Sequence, residues 1–509
     1  VGKSNLLKID SLLRKYPSAG HVVALAGGAL VPFTLAPFNW WPLGILSVLL
    51  LLACIDGEST KKVVLRFYMY NLGMFGVGAS WIYVSINVYG GASPVLAVSL
   101  VALFVMWWSL IGLLHGYVYG KFISRLPLGL VLGFPAMWVL DEWFRGWFLT
   151  GFPWLFLGYG HLSSPLLGFA PLAGVFAISF FAVLTASLLY HSLRHGRHWY
   201  LIAVTAIWLS GYGLSHLEYV SPDDRVSVVA VQGNIDQHTK WRRESVMPIL
   251  KTYTDLTEPE WGAELIVWPE AAITLFRDKA TWYLQQLDRK GKESGSTLVL
   301  GIPDRDDEGK FLNTAIAVGE GEGIYHKRRL VPFGEYVPLE NWLRGIITFF
   351  DLPMSHNEAG EPLQPALRAG DLTLSLSICY EVVYAELVRS TTGSPDLFVT
   401  ISNDTWFGTS IGPAQHLQMA QMRAAENARY LVRATNNGIT ALIDHKGAIV
   451  KSLPQSEAGV LRGDAVVMTG MTPFHRYGHA PVLALSLLLL LVLAGIHAYW
   501  KSMESPNPG

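Results

Sequence analysis

Leu372-Thr373-Leu374-Ser375-Leu376-Ser377-Ile378-Cys379-Tyr380-Glu381 is a short β-prone run that ends on a thiol, an aromatic and a carboxylate. Six comparable runs occur after residue 225: Val226–Val231, Leu265–Trp268, Thr297–Ile302, Thr314–Val318, Leu397–Ile401 and Thr440–Ile443. Most are continuous apolar stretches, the pattern of strands buried on both faces. Between them lie helix candidates near 243–256, 279–292, 382–391 and 413–432. The last opens on Pro413, a residue suited to a first helical turn. Strands alternating with helices predict a layered α/β domain, and sites in such sheets gather just past strand ends.

Working outward from this block, the charge distribution sets its limits. Residues 221–479 hold 25 Lys/Arg and 32 Asp/Glu, whereas residues 1–220 hold 12 and 6, and residues 480–509 one of each. A soluble catalytic domain over 221–479 is therefore expected between an N-terminal membrane domain over 1–220 and a C-terminal span and short tail over 480–509. Hydrophobic residues make up 51% of the 509 and charged residues 15%. That excludes a disordered chain and a wholly soluble enzyme. A net charge of −1 gives no electrostatic case for nucleic acid. Two cysteines exclude a disulfide framework and a cysteine-rich metal site.

The N-terminal part contains seven apolar stretches, near 22–38, 41–55, 66–86, 94–119, 126–143, 166–190 and 199–217, and an eighth covers 480–500. These predict a polytopic α-helical membrane domain, since a span needs ~20 mostly apolar residues. The first two stretches are short and contain Pro32 and Pro37, which suits a tight helical hairpin or a re-entrant pair. Basic residues collect at Lys3, Lys8, Arg14 and Lys15, then Lys61 and Lys62, Lys121 and Arg125, Arg194 and Arg197, and Lys501. The alternate loops are almost bare. The positive-inside rule then places both termini in the cytoplasm and the middle domain on the opposite side. His191, His195 and His198 have ligand-like spacing but no acidic or cysteine neighbour, so a basic juxtamembrane loop is the plainer reading. No metal or cofactor is expected.

Three side chains in the middle domain stand near strand ends: Glu270 after Trp268-Pro269, Lys327 within the basic run His326–Arg329, and Cys379. Each alone has a structural explanation. Together they supply a nucleophile, a base to deprotonate it and a cation to hold an oxyanion. Cys54 lies in a membrane stretch, so Cys379 has no disulfide partner in its own domain.

Trp268-Pro269-Glu270, Lys327 ahead of Pro332-Phe333-Gly334-Glu335, and Cys379-Tyr380-Glu381 resemble the Glu–Lys–Cys triad of the nitrilase superfamily. Val331–Pro338, Gln232-Gly233-Asn234 and Ser402-Asn403-Asp404-Thr405-Trp406-Phe407-Gly408 look like signatures of its apolipoprotein N-acyltransferase branch, from bacterial inner membranes. The resemblance covers the whole chain. It implies an αββα sandwich for the α/β domain, on the periplasmic side of the inner membrane. It also implies a two-step reaction with a phospholipid acyl donor, typically phosphatidylethanolamine, and a diacylglyceryl apolipoprotein acceptor. Cys379 would take the sn-1 chain as a thioester, Glu270 would act as general base and Lys327 would stabilise the oxyanion. Glu335 and Glu381 are supporting candidates, and Trp241, Tyr380 and Trp406 are substrate-binding candidates. A segment rich in Gly and Pro, 351–365, is a candidate lid. A tethered amidase using water as acceptor is the competing reading, as is a lipid-binding or transport protein with a dead domain.

Overall fold

The computed structural model describes residues 17–338, 357–390 and 394–504. Two compact units emerge: one from residues up to 80, 98–217 and 477 onward, the other from 81–97 and 218–476.

The second unit is built on two seven-stranded sheets. The strands are β1 Val220–Gln232, β2 Leu265–Val267, β3 Thr297–Arg305, β4 Phe311–Gly319, β5 Gly321–Glu322, β6 Ile324–His326 and β7 Asn357–Glu358. They continue as β8 Leu367–Ala369, β9 Leu372–Ile378, β10 Leu397–Ser402, β11 Leu431–Thr435, β12 Ala441–Ile443, β13 Ile449–Ser452 and β14 Gly459–Gly470. One sheet runs β14-β1-β2-β3-β4-β6, with β7 on β4, and the other runs β13-β12-β11-β10-β9-β8-β5. The centres are parallel: β1 with β2, β2 with β3, and β9 with β10 with β11.

Alternation along the strands explains the layers. Val226, Val228 and Ala230 of β1 pack with Leu374, Leu376 and Ile378 of β9 in the core between the sheets. Val229 and Val231 face the other way, onto Ile249 and Tyr253 of helix Val246–Thr257 and Tyr283 and Leu287 of helix Thr281–Ser294. Helix Gly412–Asn427 is buried along most of its length and packs beside β11. The result is the expected αββα sandwich. The carboxyl ends of the parallel pair β9 and β10 lie together, and that of β2 meets them where Glu270 accepts the Asn403 N–H.

Two elements differ from expectation. Residues 413–432 do not form one helix: it stops at Asn427, Ala428 takes a left-handed conformation (φ 49°), and Leu431–Thr435 is the strand β11. The strand is held by pairing with β10 and β12, contacts that local periodicity does not record. β14 also went unread, because its Gly, Arg and Asp residues mask an edge strand that pairs with β1 over almost its whole length.

Three helices, mostly outside the second unit, are long and apolar enough to cross a membrane among the described residues: Pro94–Arg125, Pro165–His195 and Ala480–Met503. A fourth candidate, Thr60–Gly78 with Ile82–Tyr89, bends by 56°. Ser18–Thr34, Pro42–Ile55 and Tyr200–Leu214 are apolar but shorter. The stretch expected at 126–143 is a π-turn, Gly129–Gly133, followed by helix Phe134–Arg145. Helices Pro17–Leu30 and Thr60–Gly78 cross closely: a Cβ on Gly28 would lie 1.8 Å from the Tyr70 carbonyl oxygen, and one on Gly73 2.0 Å from that of Leu25. Small residues at such crossings are a common membrane-helix device. Lys3, Lys8, Arg14, Lys15 and part of the 351–365 segment lie outside the described residues.

Candidate active site

After β2 the chain turns through Trp268 and Pro269 to Glu270. Trp268 anchors the turn: it is fully buried, stacks on Tyr253 with ring centroids 5.0 Å apart, and donates Nε1–H to Thr257 Oγ1 at 2.8 Å. Gly301 on β3 makes room for the turn, since a Cβ there would lie 2.5 Å from the Ala271 nitrogen and 2.7 Å from Glu270 Cα. Lys327 follows β6; its N–H donates to the Asn313 carbonyl and its own carbonyl accepts from Gly360 N–H, both at 2.8 Å. Cys379 follows β9 at φ 54° and opens the 3-10 turn Cys379–Val383.

These turns bring a charged network together. Lys327 Nζ lies 2.8 Å from Glu335 Oε1 and 3.4 Å from Glu270 Oε1. Asn313 Nδ2 donates to both carboxylates, at 2.7 Å to Glu270 and 3.0 Å to Glu335. Glu270 Oε2 accepts the Asn403 N–H at 2.9 Å, and Glu335 Oε2 accepts the Val331 N–H at 2.8 Å. Lys327 is buried, which works against its charge, but Glu335 and then Glu270 outweigh this and hold the ammonium above its usual range. Burial pushes the Cys379 thiol up, the Glu270 charge adds to this, and Lys327 opposes it. These surroundings favour the neutral thiol over the thiolate, and a neutral thiol needs a base at the moment of attack.

The remaining candidates occupy different surroundings. Glu381 accepts from Tyr325 OH at 3.0 Å and from the backbone N–H groups of Ile378, Arg328 and Arg329 at 2.8, 2.7 and 3.1 Å. It is a clasp joining the Cys379 turn to the residues just after Lys327, with its carboxyl raised by burial. Tyr380 is buried edge-on against Tyr384, 5.3 Å between centroids. Trp406 lies edge-on to Tyr89 at 6.0 Å, and its carbonyl accepts from Ser85 Oγ at 2.8 Å. Trp241 is 42% exposed just after the short helix Gln237–Lys240.

Sequence reasoning passed over Asn313, a polar residue inside the largely buried β4, and Lys240, whose buried ammonium donates to the Glu270 carbonyl at 3.3 Å. It also placed residues 81–97 in the N-terminal membrane domain, whereas they belong to the second unit. Trp81 sits edge-on to Phe407 at 4.8 Å, and Tyr89 stacks on His238 at 5.5 Å. An apolar stretch read as membrane therefore contributes to the α/β unit. A run of polar Ser85 and Asn87 with Gly90 and Gly91 was the available signal. Among the described residues no group of three or more His, Cys, Asp or Glu is arranged to hold a metal ion.

Residues 227–468 match the carbon-nitrogen hydrolase family, and residues 27–188 match the apolipoprotein N-acyltransferase N-terminal domain. Proteins named apolipoprotein N-acyltransferase are similar over nearly the whole chain. That of Pseudomonas aeruginosa (strain LESB58) is 45% identical, covering 93% of this chain and 95% of the relative. That of Pseudomonas putida (strain ATCC 47054) is 43% identical over 94% and 97%, and that of Vibrio vulnificus (strain CMCP6) 38% identical over 95% and 97%.

Proposed function

The chain belongs to the apolipoprotein N-acyltransferase family, and from that premise we propose that Cys379 carries an acyl chain between two lipid substrates. The protein is a bacterial membrane enzyme that N-acylates lipoproteins. The proposed donor is the sn-1 chain of a phospholipid, typically phosphatidylethanolamine. The proposed acceptor amine is the α-amino group of a diacylglyceryl cysteine. What supports this reading is the Lys327–Glu270 pair, 3.4 Å apart, and the Glu381 clasp that ties the Cys379 turn to the residues just after Lys327.

In the first step Glu270 takes the thiol proton as the sulfur attacks the ester carbonyl. Lys327 faces the negative oxygen that forms. The glycerol oxygen leaves with the proton from Glu270, so a lysophospholipid departs and a thioester remains. In the second step the lipoprotein amine attacks the thioester, Glu270 removes its proton, and the thiolate takes that proton back. General acid–base transfer of this kind contributes ~10²–10⁴-fold. The helical unit supports the reading energetically. Burying lipid chains is worth ~0.8 kcal/mol per CH₂, so chemistry beside the bilayer spares extracting them. The asymmetry of basic loops supports placing the α/β unit on the extracytoplasmic side.

Mass spectrometry of the purified protein incubated with phosphatidylethanolamine tests this. One acyl mass on Cys379, transferred on adding a diacylglyceryl lipopeptide, is expected. Free fatty acid without lipopeptide acylation identifies a hydrolase instead. An acyl-enzyme formed by Cys379→Ala overturns the nucleophile assignment.

A further inference from the structure

A second buried polar cluster touches Cys379 from its backbone side, and the proposed chemistry does not use it. Asp404, His416 and Arg433 are all almost completely buried. Asp404 Oδ2 accepts from Arg433 Nη2 at 2.6 Å, and Asp404 Oδ1 accepts from Ser402 Oγ at 2.6 Å. His416 Nδ1 lies 2.9 Å from Asp404 Oδ1 and 3.1 Å from Arg433 Nη2. Its other nitrogen, Nε2, lies 3.1 Å from the Cys379 carbonyl oxygen. A carbonyl only accepts, so Nε2 carries a hydrogen and donates it. Three elements meet at His416: the turn after β10 through Asp404, its own helix Gly412–Asn427, and β11 through Arg433.

The backbone at Cys379 explains why such a grip is useful. Its φ of 54° lies in the left-handed region, which a residue with a Cβ adopts at a cost. A conformation of this kind persists only where its surroundings over-determine it. The peptide that follows is planar and trans, so its C=O and N–H point in opposite directions. Holding the Cys379 carbonyl toward His416 turns the Tyr380 N–H away from His416, and a rotation of the plane moves both groups.

We propose that His416 is a positioning residue for acyl transfer: braced by Asp404 and Arg433, it sets the Cys379–Tyr380 peptide plane so that the Tyr380 N–H donates, beside Lys327, to the oxyanion. The proposal rests on Cys379 being the nucleophile. When the sulfur bonds to the acyl carbon, the carbonyl electron pair moves onto oxygen, and these two donors share that charge. The pair returns as the C–O bond to glycerol breaks. His416 exchanges no proton in this scheme.

The test compares two reactions of the same thiol in the full-length protein in detergent. Acylation by phosphatidylethanolamine forms an oxyanion; alkylation by iodoacetamide displaces iodide and forms none. His416→Ala is expected to slow single-turnover acylation on the order of 10²-fold, the usual effect of losing an oxyanion donor. The half-saturating donor concentration and the alkylation rate should stay within about threefold of wild type. His416→Gln, whose side-chain amide can donate to the same carbonyl, should recover most of the acylation rate. Acylation at the wild-type rate in His416→Ala overturns the proposal. So does an equal loss of acylation and alkylation in both variants, which marks a general disruption of the thiol. Wild-type protein that alkylates at Cys379 but forms no thioester there instead overturns the nucleophile reading.

Discussion

Lys327 is closer to Glu335 than to Glu270, 2.8 Å against 3.4 Å, and Asn313 bridges the two carboxylates. Glu335 is thus the nearer anchor of the ammonium, while both Glu270 oxygens are held, Oε1 by Asn313 and Lys327 and Oε2 by the Asn403 N–H. Glu335→Gln keeps the shape but removes the anchoring charge. Acylation is expected to fall on the order of 10²-fold, the scale of an ångström-sized misplacement. Stopped-time mass spectrometry of the acyl-enzyme measures it; an unchanged rate would show that Glu270 alone places Lys327.

Removing the Glu270 charge should separate base catalysis from electrostatics. Burial and then Glu270 raise the Cys379 thiol. In Glu270→Gln the alkylation profile should therefore shift to lower pH, while acyl transfer falls ~10²–10⁴-fold. The raised folded-state value also has a stability consequence. Its contribution is complete below the ordinary thiol range and is lost as pH rises through the folded value. Alkylation rates from pH 6 to 10 decide whether the shift has the expected sign.

Lys240 carries a buried ammonium whose pKa burial pushes down to about 8. A fall from the ordinary 10.5 corresponds to about 3 kcal/mol of penalty on the charged form. The penalty is complete below pH 8 and fades between 8 and 10.5, because in that window the unfolded chain binds the proton and the native one does not. Lys240→Met should consequently be more stable than wild type at pH 7, with the gain vanishing toward pH 10.5. Denaturant midpoints across that range test it. A loss of acyl transfer in the same variant would show that the bond from Nζ to the Glu270 carbonyl positions the base.

Gly301→Ala should harm the site without touching any of its side chains. The added Cβ meets backbone at Ala271 and Glu270, which cannot swing aside. Overpacking of this kind costs roughly 1–3 kcal/mol. A lower thermal midpoint with reduced acylation is expected, whereas Gly459→Ala, in strand β14 where an added Cβ meets only Leu453 at 3.7 Å, controls for loss of a strand glycine.

The candidate site was legible because its proposed side chains follow strands whose apolar runs are local signals. Glu270, Lys327 and Cys379 could each be found at a strand end from sequence. Glu335 was legible from its motif, but its contact with Lys327 was not. Glu381 shows the limit: adjacent to the thiol in sequence, it turns to Tyr325 and three backbone N–H groups.

Local periodicity and residue type alone determined that this chain has an apolar helical part, a layered α/β part, and a carboxylate, an ammonium and a thiol near strand ends. Only the tertiary structure decided that 81–97 joins the α/β unit, that β11 replaces the end of a helix, and that Asn313 and Asn403 bond Glu270 while His416 bonds the Cys379 carbonyl. The physical reason is range. Turns and amphipathic faces are set by neighbours a few residues away, whereas these contacts join residues tens to hundreds of positions apart and exist only once the two sheets have packed.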